Sequence, residues 1–156
     1  MKYTALLIIT LAWCSCSTAP VKETPVAIKS EGVDISYKRE GTGDTAIVFV
    51  HGWAINKTYW QSQQDLLSKR FTTVALDLGG HGESGKNRDS WTVFDYANDV
   101  IALINGLNLN KVILVGHSMS GDVISAVADS IPQKIVGFIG IDNFKNISTS
   151  YTAEDQ

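Results

Sequence analysis

The segment Leu114-Val115-Gly116-His117-Ser118-Met119-Ser120-Gly121 gives the strongest indication of the fold, because it joins an apolar run to a helical pattern. The run Val112–Val115 is typical of a buried strand, and the residues after Ser118 place apolar side chains at helical spacing. A G-x-S-x-G-type match in this strand–turn–helix context predicts a sharp turn that projects the serine hydroxyl, a nucleophile elbow. The match has one departure, since Ser120 stands where the pattern has glycine and Gly121 follows one place later. The alternative interpretation is a Gly- and Ser-rich loop after a buried strand.

The expected chemistry of this turn depends on what surrounds the hydroxyl. A serine becomes an effective nucleophile when it lies beside a base and at the N-terminus of a helix. Backbone N–H groups at that helix end can hold the oxyanion that develops during attack on a carbonyl carbon. The position of Ser118 therefore predicts nucleophilic catalysis.

The composition is that of one globular domain with a slightly acidic balance. The 156 residues are 44% hydrophobic and 19% charged, with a formal net charge of −3. Basic residues do not cluster beyond the pairs Lys38-Arg39 and Lys69-Arg70, which argues against nucleic-acid binding. The histidines lack the i, i+4 spacing and the cysteine companions of a zinc site, so we expect no metal and no cofactor.

The N-terminus predicts export. Lys2 precedes the apolar run Ala5–Trp13, which is far shorter than the roughly 20 residues of a membrane-spanning helix. Small residues follow this run and surround both cysteines of the chain, Cys14 and Cys16. A disulfide between residues two apart would be strained and would close almost no loop. We therefore expect a signal peptide over residues 1–16.

This segment resembles a bacterial lipoprotein signal, in which a cysteine after a small residue is acylated and becomes the mature N-terminus. Cys16 follows Ser15 and fits that pattern better than Cys14 does, so the resemblance implies a lipid anchor on Cys16. The alternative is ordinary signal-peptidase cleavage, which would give a secreted or periplasmic protein. The polar residues 17–30 are predicted to form a tether, and residues 31–156 the domain.

Strand and helix patterns alternate along the domain. Five strands are predicted, over Val33–Arg39, Ala46–Val50, Thr73–Leu76, Val112–Val115 and Ile135–Ile141. Helices are predicted over Thr58–Ser68, Thr92–Leu107 and Met119–Ile131. This alternation indicates an α/β fold with a mostly parallel sheet and helices on both faces.

Three motifs, in this order, resemble the N-terminal part of an α/β-hydrolase of the esterase, non-haem haloperoxidase and epoxide-hydrolase type. His51-Gly52-Trp53 resembles the loop whose backbone helps to form the oxyanion hole. Asp77–Ser84 resembles the family's D-x-P-G-x-G-x-S turn, with Gly79 in place of the proline, and Gly116–Ser120 resembles the elbow. The resemblance covers Val33–Asn143 and implies an incomplete α/β-hydrolase fold that lacks its C-terminal part.

The resemblance also implies a role for individual residues. Ser118 would be the nucleophile that forms an acyl-enzyme, and the backbone N–H groups of Trp53 and Met119 would form the oxyanion hole. Asp142, directly after the last predicted strand, would occupy the acid position that some relatives use, or would cap the next turn.

The catalytic base is not apparent in the sequence. The family order is Ser, then Asp or Glu, then His, yet no histidine follows Ser118 in the 38 residues to Gln156. Of the three that precede it, His51 is expected to order the oxyanion loop, His81 to be structural, and His117 to point away from the serine. We therefore expect this chain to supply the nucleophile half of a site and to be inactive alone.

The leading interpretation is a serine hydrolase that acts on a small-molecule acyl substrate with an ester, thioester or amide bond. A non-catalytic small-molecule-binding protein on the same fold, and an inactive fragment, are the alternatives. The last predicted strand, Ile135–Ile141, would form an open edge of the sheet and is a predicted site of self-association.

Overall fold

A computed structural model describes residues 27–143, so the predicted signal peptide, Cys16 and the first part of the tether lie outside the described residues. The strands are β1 (Ala27–Ser30), β2 (Val33–Glu40), β3 (Ala46–Val50), β4 (Thr72–Leu76), β5 (Val112–His117) and β6 (Ile135–Ile141). The helices are α1 (Gln61–Leu67), α2 (Val93–Gly106) and α3 (Ser120–Ser130), with 3-10 turns at Lys57–Trp60 and Pro132–Lys134. None of the helices within residues 27–143 combines the length and the apolar character needed to cross a bilayer.

The strands form one sheet in the order β1-β2-β4-β3-β5-β6. The strands β4, β3, β5 and β6 are parallel, whereas β2 pairs antiparallel with β4 and β1 pairs antiparallel with β2. This arrangement confirms the predicted α/β fold with a mostly parallel sheet. Since the carboxyl ends of parallel strands lie at one edge, the loops after β3, β4 and β5 meet there.

Within the described residues the sheet has six strands where the sequence predicts five, because Ala27–Ser30 also forms a strand. Residues Ala27–Ser30, assigned to the tether, pair with the first half of β2 through a two-residue turn. Both turn residues have positive φ, 46° at Glu31 and 83° at Gly32, as a type I′ hairpin requires. Gly32 was the local signal for this hairpin, but the four-residue strand is too short to show a period of its own.

Each face of the sheet carries a hydrophobic cluster. Alternate residues of the central strands, such as Val48 and Leu114, pack against α2 and α3. The residues between them pack on the opposite face, where Phe49 and Val115 belong to a cluster with Trp60 beside α1. The continuous apolar strands therefore reflect burial on both faces.

The predicted helix boundaries are close to those observed, with one informative difference. Thr92 caps α2 together with Asp95 in a reciprocal capping box. The helix predicted over Thr58–Ser68 is divided into a 3-10 turn and α1. This division follows from Asn56, whose side chain accepts the N–H of Thr58 at 3.0 Å and starts a tight turn.

Within the described residues, β6 pairs only with β5 and forms an open edge of the sheet. Its exposed side chains are apolar: Val136 (61% exposed), Phe138 (51%), Ile139 (53%) and Ile141 (41%). The open edge is as predicted, and its self-association stays a prediction.

Candidate active site

Ser118 lies in a sharp turn between β5, which ends at His117, and α3, which begins at Ser120. Its φ is 53°, in the left-handed region that non-glycine residues rarely adopt. The Ser118 N–H donates to the carbonyl of Ile141 at 2.9 Å, and the Gly121 N–H donates to the carbonyl of Ser118 at 3.0 Å. The predicted strand–turn–helix geometry is therefore present, and the serine has the strained backbone expected of an elbow.

The two small residues around Ser118 have different reasons to be small. A Cβ at Gly116 would lie 2.5 Å from the carbonyl oxygen of Ser120, so this position requires glycine. Ser120, the departure from the G-x-S-x-G pattern, is fully buried, and its hydroxyl donates to the carbonyl of His51. The serine therefore fits the turn and links the elbow to the loop after β3.

That loop, His51–Asn56, packs directly against the elbow. A Cβ at Gly52 would lie 2.7 Å from Nδ1 and 3.3 Å from the backbone carbonyl oxygen of His117, so the loop packs closely against the end of β5. Trp53 follows Gly52 and is 70% exposed. Met119 stands at the N-cap of α3. The structure thus brings Gly52, which precedes Trp53, against His117, which precedes the Ser118 turn, and Met119 follows that turn at the start of α3.

His51 is a buried structural histidine. Its Nδ1–H donates to the carbonyl of Gly52 at 2.8 Å, and its Nε2 accepts the N–H of Leu78 at 3.1 Å. Burial lowers the pKa of His51 below its ordinary value. The N–H that Nε2 accepts requires this nitrogen to be unprotonated, which fixes the tautomer. Both ring nitrogens are occupied, which agrees with the predicted role in ordering the loop.

The other two histidines also have contacts of their own. His81 places Nδ1 3.0 Å from the carbonyl of Gly79, and its ring meets the edge of Trp53 at 5.6 Å. His117 stacks on Tyr59, with ring centroids 5.0 Å apart and planes at 25°. None of these contacts joins His81 or His117 to the Ser118 hydroxyl, so neither is assigned as the catalytic base.

Sequence reasoning missed Lys57, which fastens the loop after β3 to the turn after β4. Its backbone N–H and its Nζ donate to the two carboxylate oxygens of Asp77 at 2.6 and 2.7 Å. Nζ also lies 2.6 Å from a carboxylate oxygen of Glu83 and 3.0 Å from the Ser36 hydroxyl. Burial alone would lower the pKa of Lys57, but the hydrogen bonds with Asp77 and Glu83 outweigh it and raise that pKa. The only sequence signal was Asp77 itself, at the start of the predicted turn.

A second buried ion pair holds the turn after β4 from the other side. Asp99 of α2 is fully buried, pairs with Arg88 and accepts the N–H of Gly79 at 3.2 Å. A proline at position 79, as in the family pattern, would have no N–H to donate. A Cβ there would also lie 2.8 Å from the ring of Trp91. Asp99, which accepts the Gly79 N–H, and Trp91, which leaves no room for a Cβ, therefore explain why glycine replaces proline here.

Asp142 lies next to the elbow along the backbone. It directly follows Ile141, whose carbonyl accepts the Ser118 N–H, and its own φ is 54°. The next residue, Asn143, donates from Nδ2 to the carbonyl of Gly116 at 2.9 Å. The end of β6 is thus joined to the turn that carries Ser118. Within residues 27–143, no three His, Cys, Asp or Glu side chains are grouped so that they could hold a metal ion.

The chain is similar to known proteins over most of its length. A profile described as the alpha/beta hydrolase fold matches residues 45–155. The 2-(acetamidomethylene)succinate hydrolase of Mesorhizobium japonicum is 32% identical over 117 residues, which is 75% of this chain and 42% of that protein. A bifunctional esterase/perhydrolase of Acinetobacter calcoaceticus is 36% identical over 105 residues, 66% of this chain and 38% of that protein.

A solved structure shows the same likeness. A thermophilic esterase from Thermogutta terrifontis superposes with a TM-score of 0.69 and 30% identity, covering 76% of this chain and 45% of the esterase. This chain therefore spans less than half the length of the relatives to which it is similar.

Proposed function

Since this chain belongs to the α/β-hydrolase fold family, we propose that it is a serine hydrolase with Ser118 as its nucleophile. The substrate class is a small-molecule ester, thioester or amide. The observation that carries the proposal is the positive φ of Ser118, at the end of β5 and the start of α3. A strained serine that aligns with a helix N-terminus is the arrangement this chemistry needs. The hydrolase and esterase named among the relatives support the same reaction class.

In the proposed reaction the Ser118 oxygen attacks the carbonyl carbon and gives its proton to a base. The carbonyl oxygen becomes an oxyanion, held by the N–H groups of Trp53 and Met119. Collapse of this intermediate breaks the bond to the alcohol, thiol or amine, which leaves with a proton, and Ser118 keeps the acyl group. Water then releases the acid. We propose Asp142 as the acid, because its neighbour Ile141 is bonded to Ser118.

The base is assigned to none of the three histidines, because both nitrogens of His51 are hydrogen-bonded and the contacts described for His81 and His117 do not include the Ser118 hydroxyl. We therefore propose that this chain alone turns over substrate slowly. An oxyanion hole and substrate binding without a complete triad still accelerate acyl transfer by about 10³–10⁴-fold over water. A non-catalytic binding protein on the same fold is the second candidate function, and His51 favours it, because both of its ring nitrogens are already hydrogen-bonded.

A fluorophosphonate probe, followed by intact-protein mass spectrometry, tests the assignment. We expect one probe adduct per chain, formed slowly because no base is assigned, and its loss in Ser118→Ala. Ser125→Ala is the matched control, because this hydroxyl lies in α3 and donates to the carbonyl of Gly121 at 2.9 Å. An adduct that persists in Ser118→Ala shows that the nucleophile is wrongly assigned. Saturable ligand binding by a chain that never forms an adduct establishes the binding protein instead.

We further propose that the chain is exported and anchored through a lipid on Cys16. The support is the pattern of Lys2, the short apolar run and the small residues before that cysteine. Cells grown with labelled palmitate should yield labelled protein, and Cys16→Ala should remove the label. Cys14→Ala is the matched control and should retain it. An unlabelled wild-type protein that is nevertheless exported favours ordinary cleavage.

A further inference from the structure

Exposed apolar side chains gather at a second place besides β6, at the carboxyl edge of the parallel strands. We call this group the aromatic rim; it consists of Trp53 (70% exposed), Tyr59 (49%), Trp91 (36%) and Phe94 (61%). Trp53 and Tyr59 follow β3, whereas Trp91 and Phe94 lie where the chain passes from β4 into α2. The rim therefore surrounds the edge at which Ser118 lies.

Two members of the rim, Trp53 and Trp91, are joined through other aromatic rings, and Tyr59 stacks on His117. The ring of His81 joins Trp53, at 5.6 Å, to Tyr96, at 6.0 Å, and Tyr96 lies 6.3 Å from Trp91. The guanidinium of Arg88 lies over the Trp91 ring at 5.2 Å while it pairs with Asp99. A set of large aromatic side chains that is supported from below but open above is typical of a surface that meets an apolar phase.

The described chain also begins beside this edge. In the β1–β2 hairpin, Ala27 pairs with Ser36, whose carbonyl accepts the N–H of Asp77 at 2.8 Å. Asp77 is the first residue after β4, so Ala27 lies level with the carboxyl ends of the parallel strands. Only ten residues separate Ala27 from Cys16.

Ten intervening residues keep the domain close to any membrane that holds Cys16. Fully extended they reach about 40 Å, and as a relaxed chain about 20 Å. A domain of this size is about 35 Å across, so the edge where the tether joins is held near the bilayer. Tryptophan, tyrosine and phenylalanine favour the boundary between headgroups and acyl chains, where their apolar rings are buried and their polar atoms stay wet.

We propose that the aromatic rim rests on the surface of the lipid bilayer that anchors the chain, so that the Ser118 edge faces the membrane. The contact relies on apolar insertion rather than on basic residues, because Arg88, which lies over Trp91, and Lys57, two residues before Tyr59, are already paired with acids. Binding should therefore occur on zwitterionic lipid and change little with salt. The proposal rests on the lipid anchor at Cys16 and does not depend on the acyl chemistry of Ser118.

Tryptophan quenching by lipid tests this orientation. The mature anchored protein, reconstituted into phosphatidylcholine vesicles whose acyl chains carry bromine, retains Trp53, Trp60 and Trp91, since Trp13 lies within the signal peptide. Trp60 is only 2% exposed and serves as an internal reference. We expect brominated lipid to remove about half of the emission, because two of the three tryptophans belong to the rim. The double variant Trp53→Phe with Trp91→Phe should be insensitive to bromine.

Three results would overturn the proposal. The first is wild-type protein that is anchored in the vesicles yet shows the same emission in brominated and ordinary lipid. The second is quenching that survives in the double variant, because the rim tryptophans would then not be its source. The third is a rim covered by a second copy, seen as an anchored dimer that Trp53→Ala dissociates and as tryptophans that lipid does not quench. Failure of the anchor is recognised separately, because the protein would not incorporate into vesicles at all.

Discussion

Replacing Lys57 by methionine tests whether a buried ion pair holds the loop that carries Trp53. Methionine keeps the apolar stem and removes the ammonium group. The Asp77 side chain, 1% exposed, would keep its charge and lose its closest cation. Removing one partner of a buried pair costs about 3–5 kcal/mol. Asp77 retains two backbone donors, the N–H groups of Lys57 and Glu83 at 2.6 and 2.9 Å. We therefore expect a loss near the lower limit, about 2–3 kcal/mol of unfolding free energy.

Urea unfolding at neutral pH, followed by tryptophan fluorescence, measures this loss. Lys111→Met is the matched control, because Lys111 pairs with Asp44 at 2.7 Å where both side chains are more than half exposed. It should leave the urea midpoint unchanged. Combining Lys57→Met with Asp77→Asn should recover much of the stability, since the buried charge is then absent. The loop should also be less well fixed in Lys57→Met, so the fluorophosphonate should react more slowly with Ser118.

A urea midpoint that falls no further in Lys57→Met than in Lys111→Met would contradict a stabilising role for the buried ion pair. In that case the ammonium contributes nothing beyond a surface charge, and the loop is held by its other bonds alone. A double variant that is less stable than Lys57→Met would equally contradict the assumption that an uncompensated charge is the cause.

Three further predictions concern the elbow, acid stability and the open edge. Gly116→Ala should lower the unfolding free energy by about 1–3 kcal/mol in urea titration, because its Cβ would meet the Ser120 carbonyl at 2.5 Å. Gly137→Ala, with open space around it, should leave stability unchanged. Because burial lowers the pKa of His51, the unfolded chain binds the proton more readily, so thermal stability should fall as pH decreases below about 6.5. Ile139→Lys should shift sedimentation profiles toward monomer, and an unchanged profile would exclude this edge as the association site.

The sequence predicted the fold well wherever burial on both faces imposed a continuous apolar run. The strands around Val48, Val74 and Leu114 are of this kind, and α2 was predicted to within a residue by its cap at Thr92. The first strand, Ala27–Ser30, was not predicted, because it is stabilised by pairing across a hairpin and is too short to show an alternation of apolar and polar residues. Local patterns report local structure, and edge strands depend on their partners.

In the candidate site, too, features formed by neighbouring residues were predicted and features formed by distant residues were not. The turn around Ser118 and the loop at Trp53 were predicted, since each is a short motif with its own backbone geometry. The clamp between Lys57 and Asp77 was not predicted, because 20 residues separate the partners and nothing near either one indicates the other. Ser120 departs from the sequence pattern, and only the structure shows that its hydroxyl donates to the carbonyl of His51.

Because Ser118 has a positive φ, selection for stability and selection for reactivity would favour different residues at this position. A non-glycine side chain in the left-handed region costs about 1–2 kcal/mol, and glycine would avoid this cost. A library of this chain screened for thermal stability alone should therefore enrich glycine or asparagine at position 118. The most stable members of such a library would have lost the one hydroxyl that the turn presents. Stabilised versions intended for chemistry should be selected with the fluorophosphonate reaction as a second requirement, so that Ser118 and its strain are retained together.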